Sequence, residues 1–292
     1  MVGALIKSLR PHQWVKNLFV VAPLLFSKHL LDPSYGLISG LAFLMFGLLS
    51  GSVYLLNDIF DIDKDRAHPK KRNRPIPSGR LPLPVARTAA AVLTLASLAI
   101  SIKLGLPFFA CAAAYLVLNL SYSLSLKHVP FVDVLSIAGG FLLRVEAGAL
   151  AINVVASPWL LTCTFALACF LGFGKRTHEL ASAGERAVEQ RAVLSRYKLA
   201  HLKVILWVLA VGTCVAYVLY TLSPQTQLYF GTNRLLYTTP FAAFGVLRFL
   251  VLVSRKASAE SPTDEMLRDL PFMANLVLWA AATVAIIYFL RG

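Results

Sequence analysis

Runs of about 20 apolar residues, cut by short polar breaks, recur from one end of the chain to the other. A helix needs about 20 such residues to cross the roughly 30 Å of hydrocarbon in a bilayer. Nine runs qualify: 13–31, 36–57, 83–103, 106–124, 131–152, 157–175, 200–221, 234–254 and 271–290. Prolines mark many of the breaks, among them Pro33, Pro82, Pro84, Pro107, Pro130, Pro158, Pro224 and Pro271. Their missing N–H and fixed φ start or stop helices. The pattern predicts an all-α integral membrane protein with nine spans. The two longest breaks, 58–82 and 176–199, are too short for a soluble domain, so residues 1–292 read as one polytopic domain. Long polar loops follow the second and sixth runs and short ones the fourth and eighth. That rhythm suggests two four-helix halves plus a ninth helix.

Composition narrows the class. The chain is 58% hydrophobic with a mean hydropathy of +0.69, and only 14% of it is charged, against roughly 25% in a soluble domain. A net charge of +14 on a soluble chain would suggest nucleic acid. Here the cations sit at the ends of apolar runs, where they set topology and attract anionic headgroups or phosphates. The expected surroundings are therefore the lipid bilayer, with no nucleic acid. Lys28, Lys103, Arg234 and Arg291 fall on one side, and Arg144 and Arg248 within spans. The rest of the 28 lysines and arginines fall on the other side. By the positive-inside rule the N-terminus and both long loops face the cytoplasm of an inner or plasma membrane. Arg10, His12, Trp14 and Lys16 precede the first run without a small-residue cleavage site after it, so no cleavable leader is expected. Trp14 reads as an aromatic-belt anchor. Cys111, Cys163, Cys169 and Cys214 all lie in apolar runs, without the spacing of a zinc site or a disulfide framework.

One stretch breaks this simple scheme. Asn57-Asp58-Ile59-Phe60-Asp61-Ile62-Asp63-Lys64-Asp65 closes the second run and leads into a loop rich in lysine and arginine. If the helix continues through residue 65, a rotation of about 100° per residue puts Asp58, Asp61 and Asp65 on one face and Asp63 opposite. Carboxylates that close repel unless something positive lies between them. Hard oxygen ligands suit Mg²⁺, which bridges readily to substrate phosphates. The plainer reading is an acidic cap balanced by the basic loop. A helix C-terminus is the wrong end for carboxylates, because the macrodipole disfavours them there, and that favours the metal. Lys71 and Arg74 are candidate phosphate ligands, Arg74 within Arg74-Pro75-Ile76-Pro77-Ser78-Gly79-Arg80, where two prolines should hold the loop extended.

Asn57-Asp58-x-x-Asp61-x-x-x-Asp65, with Arg66, Arg74-Pro75 and Ser78-Gly79 after it, resembles the first aspartate-rich motif of the UbiA superfamily. The resemblance covers essentially the whole chain. It implies an intramembrane transferase with nine helices around a cytosol-facing cavity. Most such enzymes carry a second aspartate-rich motif after span 6, which helps bind a prenyl diphosphate through Mg²⁺. This chain departs there. Residues 172–197 contain no Asp, and the acids are Glu179, Glu185 and Glu189. Lys175 and Arg176 stand where the second acidic cluster would be. They could cap a helix C-terminus, and Lys175 could pair with Glu179 one turn on. They could also hold a phosphate directly, although the residues by themselves favour the cap.

Gly174-Lys175-Arg176-x-x-Glu179-Leu180 is similar to the corresponding segment of the decaprenyl-phosphate phosphoribosyltransferase subfamily. So are Arg10-Pro11-x-Gln13-Trp14-x-Lys16-Asn17 and Tyr122-Ser123-x-x-Leu126-Lys127-His128, with Asp133 soon after. His178 stands where an aromatic such as Tyr is expected, a departure that bears on lipid or donor detail. The resemblance implies Mg²⁺-dependent transfer of 5-phosphoribose from phosphoribosyl diphosphate to a polyprenyl phosphate of decaprenyl type, releasing diphosphate and serving cell wall biogenesis. A homo-oligomer is compatible with it. Asp58, Asp61 and Asp65 become metal ligands, and Asp58, Asp61 and Lys127 the catalytic set. Gln13, Lys16, Asn17, Asn57, Lys71, Arg74, Tyr122, Lys175, Arg176, Glu179 and Tyr197 become substrate-binding candidates. Arg144 and Glu146 join them from the residues themselves, since charged groups deep in a span face a cavity or a partner; a structural interhelical pair is the alternative. Two other functions compete. A prenyltransferase would need acids after span 6, and a transporter or lipid-binding protein would leave the clustered aspartates without a reason.

Overall fold

The computed structural model describes residues 1–68, 71–183, 192–255 and 261–290, with no strand among them. Glu185 and Glu189 lie outside the described residues. The chain divides into two compact units, Met1–Lys127 with Gly139–Ala156, and His128–Ala138 with Ser157–Gly292. The first runs through α1 (Val2–Leu9), a 3₁₀ helix (Pro11–Asn17), α2 (Leu18–Phe26), α3 (Pro33–Phe60), α4 (Ile62–Ala67), α5 (Leu83–Lys103) and α6 (Leu106–Leu124). Helix α7 (Val132–Ala151) gives its first residues to the second unit and the remainder to the first. The second unit continues with α8 (Pro158–Ala183), α9 (Leu199–Leu222), α10 (Pro224–Phe230), α11 (Thr239–Ser254), α12 (Pro262–Met266) and α13 (Leu270–Val284).

Among the described residues, 8 helical stretches are long and apolar enough to cross a membrane. They correspond to all the expected spans except the first. The run 13–31 is a 3₁₀ helix followed by the 9-residue α2, which contains Pro23. At about 2.0 and 1.5 Å per residue the two pieces rise about 28 Å in all, but neither alone is long enough to cross. This N-terminal segment lies close against small residues of its neighbours. A Cβ on Gly148 of α7 would stand 1.9 Å from the carbonyl oxygen of Val20. A Cβ on Gly47 of α3 would meet the Trp14 ring at 2.9 Å. Trp14 therefore fills a notch in α3 instead of serving as a belt anchor.

Helix α3 has a well-formed start. Pro33 occupies the first turn, and the Asp32 carboxylate accepts the Ser34 N–H at 2.9 Å, satisfying an end donor. Its middle buries Ala42, Phe46, Leu49 and Val53 with Val20, Phe108, Tyr115 and Ala147, the core of the first unit. In the second unit Phe170 and Phe249 meet edge-on at 5.1 Å amid Leu206, Ala210 and Val246. Glycine makes room there too. A Cβ on Gly172 would stand 2.6 Å from Val134, and one on Gly174 2.4 Å from Phe249.

Candidate active site

The acidic stretch is nearly, but not wholly, helical. Helix α3 stops at Phe60, Asp61 departs to φ −97° and ψ 13°, and α4 resumes at Ile62. Helix-type bonds span the break: Asp61 N–H donates to Asn57 at 3.0 Å and Asp65 N–H to Asp61 at 2.8 Å. Asp58 and Asp65 thus both turn inward and are 1% and 3% exposed. Asp63 points away, with a side chain 90% exposed and a loose 3.6 Å contact to Arg66.

Each inward carboxylate has a cation. Asp58 Oδ1 accepts from Arg10 at 2.5 Å and from Arg74 at 3.0 Å. The same Arg74 nitrogen donates to Asp65 Oδ2 at 2.6 Å, with Lys71 at 3.9 Å from Asp65 Oδ1. Lys127 Nζ takes both oxygens of Asp61, at 2.9 and 2.8 Å. Arg10 caps α1 in a left-handed conformation (φ 51°) and lies 5.0 Å over the Tyr54 ring. Among the described residues, no three His, Cys, Asp or Glu side chains are arranged to hold a metal ion. Buried carboxylates repel, and here guanidinium and ammonium groups hold them.

The loop that delivers Arg74 is not extended, which corrects the expectation. Residues 75–79 form consecutive turns. Ser78 N–H bonds Arg74 at 3.0 Å, Leu81 N–H bonds Pro75 at 2.9 Å, and Gly79 takes φ +76°. Ile76 and Leu81, 2% and 1% exposed, anchor the turns against Leu55, Ala86 and Ala90. A proline φ near −65° suits turns as well as extended chain, and burial of Ile76 selects the turn.

Deeper in the first unit, Arg144 is buried among neutral partners. It donates to Asn17 Oδ1 at 2.8 Å, Gly140 O at 3.0 Å and the Tyr115 hydroxyl at 2.7 Å, and lies 4.6 Å over the Tyr115 ring. Asn17 in turn donates to Ser50 at 3.2 Å. Arg144 is thus tied into the helix packing through Asn17, and Glu146, two residues on, is half-buried. Gln13 and Lys16 share the 3₁₀ helix with Asn17, and Tyr122 lies near the end of α6; all three are half-buried.

In the second unit Arg176 is 1% exposed. It donates to Asp133 at 2.7 Å and Glu179 at 2.7 Å. The Tyr197 hydroxyl donates to Asp133 at 2.8 Å and accepts the Phe131 N–H at 2.5 Å. Phe131 holds φ +65°, a costly backbone for a bulky side chain, and this bond helps fix it. Burial, reinforced by Asp133, pushes the Tyr197 hydroxyl up to about 12. Arg176 is therefore committed to a buried network, while its neighbour Lys175 is half-buried. His178 is buried too, 3.1 Å from Val253 O and 3.3 Å from Ser182.

The profile of the UbiA prenyltransferase family matches residues 18–276. The chain belongs to the UbiA prenyltransferase family. A decaprenyl-phosphate phosphoribosyltransferase of Mycolicibacterium smegmatis is 32% identical over 304 residues, covering 99% of this chain and 94% of the relative. One from Mycobacterium tuberculosis is 31% identical over 293 residues, covering 99% and 96%. Among solved structures, a UbiA homolog from Archaeoglobus fulgidus bound to DMAPP and Mg²⁺ has a TM-score of 0.69 at 18% identity, covering 98% of this chain and 99% of that one. Its form bound to GPP and Mg²⁺ gives 0.70 at 17% identity, covering 97% and 99%. These neighbours establish the UbiA fold. The acidic stretch also has the donor chemistry Mg²⁺ favours: its aspartates offer carboxylate oxygens, and Asp58 Oδ2 is buried without a hydrogen-bond partner among the described residues.

Sequence reasoning did not assign three partners. Arg10 was legible as part of a basic N-terminal run and of a segment similar to the subfamily, but its distance of 48 residues from Asp58 hid the contact. Tyr115 looked like one more aromatic in a span. Asp133 carried a weak signal, a carboxylate in the first turn of α7, where the helix dipole favours it.

Proposed function

We propose that the chain transfers 5-phosphoribose from phosphoribosyl diphosphate to a polyprenyl phosphate of decaprenyl type. The observation that carries this reading is near-full-length similarity to relatives named decaprenyl-phosphate phosphoribosyltransferase. The absence of Asp from residues 172–197 supports it against a prenyl diphosphate donor held by a second acidic cluster. The excess of cations at the end bearing the acidic stretch supports a cytoplasmic site in a cell membrane.

Asp58, Asp61 and Asp65 would hold Mg²⁺. When bound, Mg²⁺ neutralises a diphosphate and stabilises it as a leaving group. Arg74 and Lys71, beside Asp65, would orient the donor's phosphates. Lys127, gripping both oxygens of Asp61, would fix that carboxylate. Lys175 carries the charge suited to a lipid phosphate, and the buried Arg176–Asp133 pair positions the turn of α8 from which it projects. A phosphate oxygen of the acceptor attacks the anomeric carbon of ribose. The bond from that carbon to the diphosphate oxygen breaks, and the diphosphate leaves with the electron pair. The attacking phosphate is already anionic near neutral pH, so no strong general base is required.

Purified protein in lipid nanodiscs, given radiolabelled phosphoribosyl diphosphate, polyprenyl phosphate and Mg²⁺, should yield label extractable with the lipid. No lipid-linked label, together with transfer from a prenyl diphosphate, would overturn the proposal in favour of a prenyltransferase.

A further inference from the structure

Outside the site, the first unit carries a groove of about 720 Å³ along α3, α4 and α5. Its walls are apolar, with Leu56, Ile59, Ala91 and Leu95 among the lining residues, and two opposite charges, Asp63 and Arg87, line it too. Among the described residues, the one ion pair of Asp63 is the 3.6 Å contact to Arg66, between side chains 90% and 57% exposed. The Arg87 side chain is exposed and has no ion pair or hydrogen bond among the described residues. Phe60 and Leu95, 47% and 67% exposed, extend the apolar surface.

The helices flanking this groove, α3 and α5, are long and apolar enough to cross a membrane, so its walls face acyl chains. Asp63 lies in the first turn of α4, just past the end of α3, and Arg87 near the start of α5, where headgroups begin. Hydrocarbon walls ending in one cation and one anion complement a particular ligand chemistry. We propose that this groove binds a glycerophospholipid with a primary-amine headgroup, of the phosphatidylethanolamine class. Arg87 takes the phosphate, Asp63 takes the ammonium, and one acyl chain lies along Leu56, Ile59, Ala91 and Leu95. A primary ammonium has N–H groups to donate to a carboxylate, whereas the quaternary ammonium of a choline lipid has none. A glycerol headgroup satisfies Arg87 through the same phosphate but offers Asp63 neutral hydroxyls in place of a cation. The inference is independent of the reaction proposed above.

Native mass spectrometry of the full chain tests it. The protein would be released from micelles doped with equal amounts of ethanolamine, choline and glycerol phospholipids. Retention of one ethanolamine lipid at several-fold excess over the other two is expected. Arg87→Ala should lower retention of the ethanolamine and glycerol lipids, and Asp63→Asn should erase the preference for ethanolamine over glycerol. Both positions are exposed, so unchanged thermal unfolding would show that the variants fold. Equal retention of all three lipids, a preference unaltered by either variant, or a groove filled by a second copy and seen as a dimer lacking lipid would each overturn the assignment.

Discussion

Replacing Arg74 with alanine removes one guanidinium nitrogen that serves two buried carboxylates at once. That nitrogen lies 3.0 Å from Asp58 Oδ1 and 2.6 Å from Asp65 Oδ2, whose side chains are 1% and 4% exposed. Removing one partner of a buried pair costs about 3–5 kcal/mol, because the remaining charge cannot be resolvated. Asp58 keeps Arg10 at 2.5 Å and Asp65 keeps Lys71 at 3.9 Å, while Arg74 itself is 29% exposed, so the lower end applies. A loss of about 3 kcal/mol corresponds to a fall in Tm of roughly 5 °C for 292 residues. Tryptophan fluorescence during heating in detergent would measure it. Asp58→Asn in the same background removes one of the stranded charges. Arg74→Ala should therefore cost markedly less there, and the double-mutant cycle should give a coupling above about 0.5 kcal/mol. A fall in Tm under about 2 °C for Arg74→Ala, or strict additivity of the two changes, would refute the shared-guanidinium reasoning.

Other consequences follow from the same contacts. Asp58→Ala and Asp61→Ala should abolish lipid-linked radiolabel transfer, while Asp63→Ala, at an outward side chain, should retain most of it; equal loss in all three would contradict the separation of Asp63. Mg²⁺ alone should bind the carboxylates weakly and Mg²⁺ with diphosphate much more tightly, as isothermal calorimetry on wild type and Asp58→Asn would report. Gly148→Ala should prevent accumulation in the membrane, since its Cβ would stand 1.9 Å from a backbone oxygen that no rotamer change can move. Gly212→Ala, with nothing within 4 Å, should be tolerated, as fluorescence-detected gel filtration would show. Tyr197→Phe should cost about 1–3 kcal/mol by leaving the Asp133 oxygen and Phe131 N–H unsatisfied. With the hydroxyl pushed up to about 12, its stabilisation is complete below its ordinary value near 10 and lost as pH rises through about 12. Alkaline unfolding of wild type should show that loss, and the phenylalanine variant should lack it.

Span positions were readable because length and hydropathy are local properties. α5, α6 and α9 lie within a residue or two of the apolar runs that predicted them. The run 13–31 is less regular than its hydropathy predicts, a 3₁₀ helix leading into α2. Its residues seat against Gly47 and Gly148, partners far away in sequence, which hydropathy does not reveal. The acidic stretch shows the same division. Spacing alone separated Asp63 from Asp58 and Asp65, because rotation along a helix is local. It did not reveal Arg10 or the Asp61–Lys127 pair, which are tertiary contacts across 48 and 66 residues. Arg176 shows how one residue type supports two roles. Lysine or arginine after an apolar run can cap a helix or hold a phosphate. Only the position of Asp133, 43 residues earlier, shows that Arg176 is buried against a carboxylate.

The balance of charge in the acidic cluster connects stability with ligand choice. Three carboxylates at the end of α3 oppose its dipole and one another. Arg10, Arg74 and Lys127, from three separate segments, offset them in the folded unit. On the proposed reading, a bare divalent cation would have to displace or crowd those cations, whereas a divalent cation accompanied by diphosphate would bring a net negative charge. Arg10 and Arg74 would then turn toward phosphate oxygens without losing compensation, and Asp58 Oδ2, the oxygen they do not contact, would be the carboxylate oxygen left to the metal. The cations that offset the carboxylates without ligand would thus favour a metal-bound diphosphate over the metal alone.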